Sequence, residues 1–278
     1  MDQDAALLDR SARIERRFTT DDGIELFYAE YGPRDGIPVV ICHGIAVNST
    51  QFTEDAEFFA ARGYRVLTPD LRGHGRSGIA APHRANYRLE RLALDQTQML
   101  DHAGIDKAHW VGNSLGGMVG LTLVANHADR LLSLTTFGTP YNMYLPSPGV
   151  RPFVSWNFAI WRPLIVKTAS ALCSPDREVR KRIEAMAIKA DAGVMGAVAM
   201  SLTSYNHIET IAAAPIPVML LHCHLDHLLG WGMNRTLARA RGMAHLRFVD
   251  LPRGGHCANL DVPDQVRAAL LDFWTTAA

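Results

Sequence analysis

A serine between glycines is the residue of this sequence best placed to do chemistry. It lies in Gly112-Asn113-Ser114-Leu115-Gly116, which follows a short apolar run (108–113) and precedes a run with helical spacing (115–127). A serine in a sharp turn between a strand and a helix is exposed for nucleophilic attack. The free N–H groups at the start of the helix favour negative charge that develops beside it. The pattern therefore predicts a nucleophile, and a glycine-rich helix start capped by the serine is the structural alternative.

A serine nucleophile needs a base and a carboxylate that orients the base. His256 lies in PRGGHCANLDVP, after the last predicted strand, and Asp226 directly follows the strand IPVMLLHC. Because open α/β sheets place their sites at the carboxyl ends of the strands, we expect these residues to meet Ser114 at one edge of the sheet. His43 also ends a strand, but no carboxylate is near it in sequence, and we interpret it as a structural residue.

Two further carboxylates stand near predicted strand ends. Asp70 lies in the glycine-rich stretch TPDLRGHGRSG, and we interpret it as holding that turn. Asp250 remains an alternative candidate for the orienting acid.

Asp226 also belongs to a competing pattern, His222-x-His224-x-Asp226-His227, which is the spacing of a zinc site in metallo-β-lactamase-like hydrolases. Such sites need ligands from far downstream, and the chain that follows holds few candidates. In an extended strand His222 and His224 share a face, which suits a metal or a polar rim of the sheet equally. We therefore expect no metal site here and assign Asp226 to the serine chemistry.

The surrounding elements alternate between strand and helix. The chain opens with a hairpin around Asp21-Asp22-Gly23, and the later apolar runs do not alternate with polar residues, as expected of strands buried on both faces. This order predicts an α/β fold with a doubly wound, mostly parallel sheet. The predicted strands after the hairpin are 37–44, 64–70, 108–113, 131–138, 216–223 and 245–252.

Residues 140–210 interrupt the alternation. They hold five prolines between positions 140 and 163 and two tryptophans, followed by helical stretches around 176–191 and 194–205. We predict a helical cap without a sheet of its own, inserted after the sixth strand, and a core made of residues 1–139 and 211–278. The cap is expected to roof an apolar substrate pocket. The candidate pocket residues are Asn113, Met143, Trp156, Trp161 and Cys257.

Composition limits the classes of function. The 28 basic and 28 acidic residues balance, so charge gives no reason to expect nucleic acid or an anionic membrane as a partner. The four cysteines are scattered without a C-x-x-C pair, and the first residues show no secretory pattern, which is typical of a reduced cytoplasmic protein. We expect a small-molecule substrate and no cofactor, and a homodimer is one possible assembly.

Taken together, HGI, DLRGHGRS, GNSLGG, LDH after a strand and GGHCANLDVP resemble the α/β-hydrolase superfamily over the whole chain. The order Ser114, Asp226, His256 is the order of that superfamily. Within it, the motifs are most similar to those of 3-oxoadipate enol-lactonases and related small-molecule esterases. The resemblance implies the α/β-hydrolase fold, these three residues as a catalytic triad, and the backbone N–H groups of Ile45 and Leu115 as an oxyanion hole.

The expected activity is hydrolysis of an ester or lactone bond of a small, largely apolar molecule through an acyl-enzyme. Carbon–carbon bond hydrolysis of the meta-cleavage type is an alternative, because GNS followed by GG also occurs in that group. Those enzymes usually carry a fuller glycine-proline loop and a tryptophan after the histidine, where this chain has HGIAVNS and His256-Cys257. A non-catalytic binding protein on the same fold is the alternative from another class, and it would be marked by loss of a triad residue.

Overall fold

A computed structural model describes residues 13–144, 149–243 and 245–276. The described residues form ten strands. They are β1 (Ile14–Thr19), β2 (Glu25–Tyr31), β3 (Ile37–Cys42), β4 (Tyr64–Asp70), β5 (Ala108–Asn113), β6 (Leu131–Phe137), β7 (Asn142–Tyr144), β8 (Ser204–Asn206), β9 (Val218–Cys223) and β10 (Leu246–Leu251).

Eight of these strands form one sheet in the order β1-β2-β4-β3-β5-β6-β9-β10. The β1–β2 and β2–β4 pairs are antiparallel, and the remaining pairs are parallel. The first hairpin turns at Gly23, whose φ of 83° is readily adopted only by glycine. Every residue of β5 is buried. This agrees with the prediction, made from the continuous apolar runs, that these strands are covered on both faces of the sheet. The predicted α/β-hydrolase fold is therefore confirmed.

Helices cover both faces of the sheet. They are α1 (Thr53–Ala60), α2 (Leu89–Ala103), α3 (Leu115–His127), α4 (Val150–Cys173), α5 (Arg177–Ala187), α6 (Ala192–Ser201), α7 (Ile208–Ala212), α8 (Gly230–Ala240), α9 (Ala258–Asp261) and α10 (Pro263–Thr276). One core cluster joins the sheet to α2, α3, α7 and α8, and a second joins the opposite face to α1, α9 and α10. None of the helices in the described part of the chain is both long enough and apolar enough to cross a bilayer.

Between β6 and β9 the chain forms α4, α5, α6 and α7 together with a two-stranded ribbon of β7 and β8. The prediction of a purely helical insertion without its own strands was wrong in this respect, because β8 occupies the end of the predicted helix 194–205. The sequence also did not predict α4, whose prolines suggested irregular chain. Pro152 lies in the first turn, where its missing N–H costs nothing, and Pro163 follows a kink at Trp161, with φ −109° and ψ 21°.

Candidate active site

Ser114 stands at the junction of β5 and α3 in a strained backbone conformation, with φ 50° and ψ −113°. Such a conformation costs a non-glycine residue about 1–3 kcal/mol and persists only where the surroundings hold it. The Ser114 N–H donates to the carbonyl of Phe137 at 3.0 Å, and the Ser114 carbonyl accepts from Met118 N–H at 3.0 Å. A side chain at Gly112 or Gly116 would overlap backbone atoms, so both glycines are required for this tight crossing.

Asp226 and His256 meet at the carboxyl ends of β9 and β10. His256 Nδ1 lies 2.8 Å from Asp226 Oδ2, and both side chains are buried. The other carboxylate oxygen, Oδ1, accepts from the backbone N–H groups of Leu228 and Leu229, each at 3.0 Å. The carboxylate is therefore fixed from two sides. Because an ionised carboxylate only accepts, Nδ1 carries a proton, and in the neutral imidazole Nε2 then presents a lone pair.

The two groups stabilise each other's charged form. Burial opposes ionisation of Asp226, but the charge and hydrogen bond of His256 and the backbone donors outweigh it and hold the pKa of Asp226 below its usual value. Burial likewise disfavours the imidazolium form of His256, but the charge and hydrogen bond of Asp226 prevail and raise its pKa to about 9. The arrangement makes His256 a stronger base than a free imidazole.

The loop that carries His256 is anchored to the cap and to the turn that contains Ser114. The His256 N–H donates to the carbonyl of Cys173, at the end of α4, at 2.6 Å. Its carbonyl accepts from Asn113 Nδ2 at 2.8 Å, and Asn113 immediately precedes Ser114. Among the described residues no hydrogen bond joins the Ser114 hydroxyl directly to the imidazole. Catalytic hydrogen bonds are often long before substrate binds, and the Asn113 contact keeps the two residues in neighbouring positions.

The segment after β3 lies against Ser114. A Cβ atom added to Gly44 would lie 3.4 Å from the Ser114 Cβ atom, and the next residue, Ile45, lines the adjoining cavity. Leu115 is the first residue of α3, so its N–H belongs to the group that has no partner within the helix. The structure thus places Leu115 next to Ser114 in the chain and brings the segment that carries Ile45 against Ser114.

His43 and Asp70 have the structural roles that their sequence context indicated. His43 Nε2 accepts from Leu71 N–H at 3.0 Å, and Nδ1 donates to the Gly44 carbonyl at 2.7 Å, so neither nitrogen is free to act as a base. Asp70 accepts from the N–H groups of Ser49 at 2.7 Å and Arg76 at 2.8 Å, which ties the glycine-rich turn to the loop after β3.

A cavity of about 370 Å³ opens between the segment after β3, the loop that carries His256 and the cap. Its walls are almost entirely apolar, and helix α4 supplies the largest share. The lining residues near the site are Gly44, Ile45, Val47, Asn113, His256 and Cys257, and those from the cap include Phe153, Val154, Phe158, Val166, Ala169, Cys173, Ile183, Ala187 and Met195.

Two of the five candidate pocket residues, Asn113 and Cys257, line this cavity. The other three are not among the described residues that line it. Trp156 and Trp161 lie on the outer side of α4, with 75% and 57% of their surface exposed, and Met143 is buried in the β7–β8 ribbon. Aromatic composition alone does not reveal which side of a kinked helix faces the core.

The zinc-like pattern is divided in the structure. Asp226 turns to His256, and His227 is exposed. His222 and His224 instead contact Asp250 on the neighbouring strand, so Asp250 is not the acid that orients His256.

A buried amide network supports Asn113 and was not predicted from the sequence. Gln51 Nε2 donates to Asn113 Oδ1 at 3.0 Å and to Asn259 Oδ1 at 3.1 Å. Asn259 in turn donates to Asp55 at 2.9 Å. These residues are far apart in the chain, and only the position of Asn259 three residues after His256 could have drawn attention to it.

Comparison with known proteins agrees with this geometry. The family model described as alpha/beta hydrolase fold matches residues 37–263. The protein named as carbamate hydrolase RutD from Variovorax paradoxus is 26% identical over 262 residues, which cover 89% of this chain and 95% of that protein. A non-heme chloroperoxidase from Streptomyces lividans is 36% identical over 99 residues, covering 36% of this chain and 35% of that protein.

Solved structures share the fold across nearly the whole chain. The enol-lactonase from Burkholderia xenovorans LB400 has a TM-score of 0.79 and 20% identity, covering 94% of this chain and 100% of its own. A thermophilic esterase from Thermogutta terrifontis has a TM-score of 0.81 and 23% identity, covering 96% and 99% respectively.

Proposed function

This chain belongs to the α/β-hydrolase fold family, and we propose that it is a serine hydrolase that cleaves an ester or lactone bond of a small, largely apolar molecule. The observation that carries the proposal is the buried Asp226–His256 pair, whose histidine is hydrogen-bonded through its carbonyl to Asn113 in the strained Ser114 turn and lines an apolar cavity. The names of the relatives, which include a carbamate hydrolase and an enol-lactonase, support cleavage of an acyl bond.

In the proposed mechanism Ser114 attacks the substrate carbonyl while His256 Nε2 takes the hydroxyl proton. Asp226 holds the proton on Nδ1 and stabilises the imidazolium that forms. The backbone N–H groups of Ile45 and Leu115 donate to the oxyanion, and loss of one such donor typically costs about 10²–10³ in rate. His256 then protonates the leaving group. In the second half of the reaction His256 takes a proton from water, which attacks the acyl-enzyme, and returns that proton to Ser114 as the acid leaves.

The cavity supports a limited class of acyl groups. Its walls offer few polar partners, and its volume of about 370 Å³ lies at the lower end of the range for small-molecule sites. A charged acyl group would lose its hydration without compensation there. We therefore propose neutral, mainly aliphatic or aromatic substrates. All four cysteines are free, which supports the further proposal of a reducing, cytoplasmic setting.

Steady-state assays test the proposal. Purified protein is given a series of aryl esters of increasing acyl length, several lactones and a vinylogous diketone from aromatic ring cleavage. Turnover of esters or lactones that disappears in Ser114→Ala supports the proposed reaction. Exclusive turnover of the diketone would assign the carbon–carbon hydrolase activity instead, and tight binding without turnover would indicate a binding protein.

A further inference from the structure

We propose that His222, His224 and Asp250 form a binding site for a divalent transition-metal ion of the zinc type, separate from the catalytic residues. The ring nitrogens of the two histidines and a carboxylate oxygen of Asp250 lie within 4.8 Å of one another. The site is at the carboxyl ends of β9 and β10, where β10 is the edge strand of the sheet.

The backbone brings these three side chains together. His222 and Asp250 are direct neighbours in the parallel register of β9 and β10. His224 follows two residues later, and its N–H donates to the carbonyl of Leu251 at 3.2 Å, which continues the contact between the strands. Side chains two residues apart in extended chain point to the same face. The three donors therefore stand on backbone that is already fixed before any ion binds.

The donor atoms converge on a single point. His222 Nδ1 lies 2.8 Å and His224 Nε2 lies 2.7 Å from the same oxygen, Asp250 Oδ1. Without an ion, both nitrogens donate a hydrogen bond to this oxygen. An ion that displaces the two protons would be bound by all three atoms, after small side-chain rotations that place each nitrogen roughly 2.0–2.1 Å from it.

The chemistry of the donors selects the class of ion. Imidazole nitrogen suits zinc, copper and nickel, whereas magnesium and calcium prefer oxygen ligands. The His222, His224 and Asp250 side chains are 16%, 43% and 49% exposed, so an ion can enter and water can complete its coordination. The site therefore resembles a three-ligand surface site with an open position.

This inference differs from the linear pattern that the sequence presents. Asp226, the carboxylate of that pattern, is already bound by His256 and by two backbone donors, and His227 is exposed outside the cluster. Asp250, from the adjacent strand, is the third ligand in place of Asp226 and His227. The expectation of no metal at this segment is therefore revised for two of its histidines, with a ligand that sequence spacing could not identify.

An ion bound here would link the edge strand to its neighbour and stabilise the folded state, because ligands that bind only the folded protein shift unfolding by mass action. The test is calorimetric titration of chelator-treated protein with zinc chloride and, separately, with magnesium chloride, together with thermal unfolding in each salt. We expect one zinc ion per chain, a higher melting temperature with zinc, and neither effect with magnesium.

Variants separate this site from other zinc ligands in the chain. His222→Ala and Asp250→Asn should each weaken zinc binding at least tenfold and remove the gain in melting temperature. His227→Ala, in the same segment but outside the cluster, should bind like the parent protein. If His222→Ala does not fold, His224→Gln replaces it, since position 224 is more exposed, and the same loss of zinc binding is expected. Absence of zinc binding to the parent, unchanged binding in the cluster variants, or equal loss in His227→Ala would overturn the proposal.

Discussion

Asp226 Oδ2 lies 2.8 Å from His256 Nδ1, although the two residues belong to loops that follow different strands. The hydrogen bond is buried, and the carboxylate is held on its other side by backbone N–H groups. This relationship fixes which nitrogen of His256 can accept a proton, and in the proposed mechanism it orients that nitrogen for Ser114.

Two substitutions of Ser114 separate the chemical role of its hydroxyl from the backbone strain that a non-glycine residue has at this position. Ser114→Ala and Ser114→Gly both remove the hydroxyl, and both should lose all measurable triad-dependent turnover while remaining folded. Only glycine relieves the strain at φ 50°. We expect Ser114→Gly to be more stable than Ser114→Ala by about 1 kcal/mol in denaturant unfolding. Equal stability of the two variants, or wild-type-like turnover in either, would contradict this interpretation.

Asp226→Asn should preserve the fold and lose most activity. Its oxygen can still accept from the backbone donors, but its NH₂ group then faces Nδ1 of His256. To accept that hydrogen bond the imidazole must place its proton on Nε2, where it cannot take the serine proton. By comparison with other triads, a fall in kcat of about 10⁴ is expected. A loss of less than tenfold would exclude Asp226 as the orienting acid.

The pH dependence follows from the raised pKa of His256. Burial alone would lower this pKa, but Asp226 outweighs it and raises the pKa to about 9. The base must be neutral, so protonation on the acid side removes activity. We predict that kcat/KM rises with pH into the alkaline range. In Asp226→Asn, without the neighbouring charge, the residual activity should reach its plateau at lower pH. If the pH at which activity rises is the same in Asp226→Asn as in the parent protein, the proposed effect of Asp226 on the pKa of His256 is contradicted.

The cap should control acyl length through its inner side only. Ala169 lines the cavity, whereas Trp156 is 75% exposed on the outer side of the same helix. Ala169→Phe should lower kcat/KM for hexanoyl esters at least tenfold more than for acetyl esters, because the larger side chain occupies acyl space. Trp156→Ala is the matched control and should leave this ratio unchanged. A uniform loss over all esters would show that Ala169 does not contact the acyl chain.

The sequence predicted the sheet because its strands and helices alternate with consistent local patterns, and the boundaries of β4, β5 and α3 agree with the structure. The proximity of Asp226 and His256 followed from the general rule that parallel strands end at one edge. The inner side of the cap could not be predicted in the same way. The prolines in this segment argued against a helix, so α4 was not predicted. The helix is also kinked at Trp161, and a single helical periodicity therefore does not describe the residues on both sides of the kink.

Long-range polar contacts were also beyond sequence reasoning. Gln51 supports Asn113 from a distant loop, and Asp250 joins His222 only because β10 pairs with β9 in a particular register. Local spacing contains no information on either pairing. The spacing H-x-H-x-D-H alone groups Asp226 with His222 and His224, whereas in the structure Asp226 is hydrogen-bonded to His256 and the two histidines contact Asp250.

The most direct test of the proposed function is labelling with a fluorophosphonate probe, with and without chelator, followed by peptide mapping. We predict one phosphonate per chain on Ser114, at the same rate in both conditions, and strongly reduced labelling in Asp226→Asn. Labelling elsewhere, or no labelling of folded protein, would contradict an activated serine at this position.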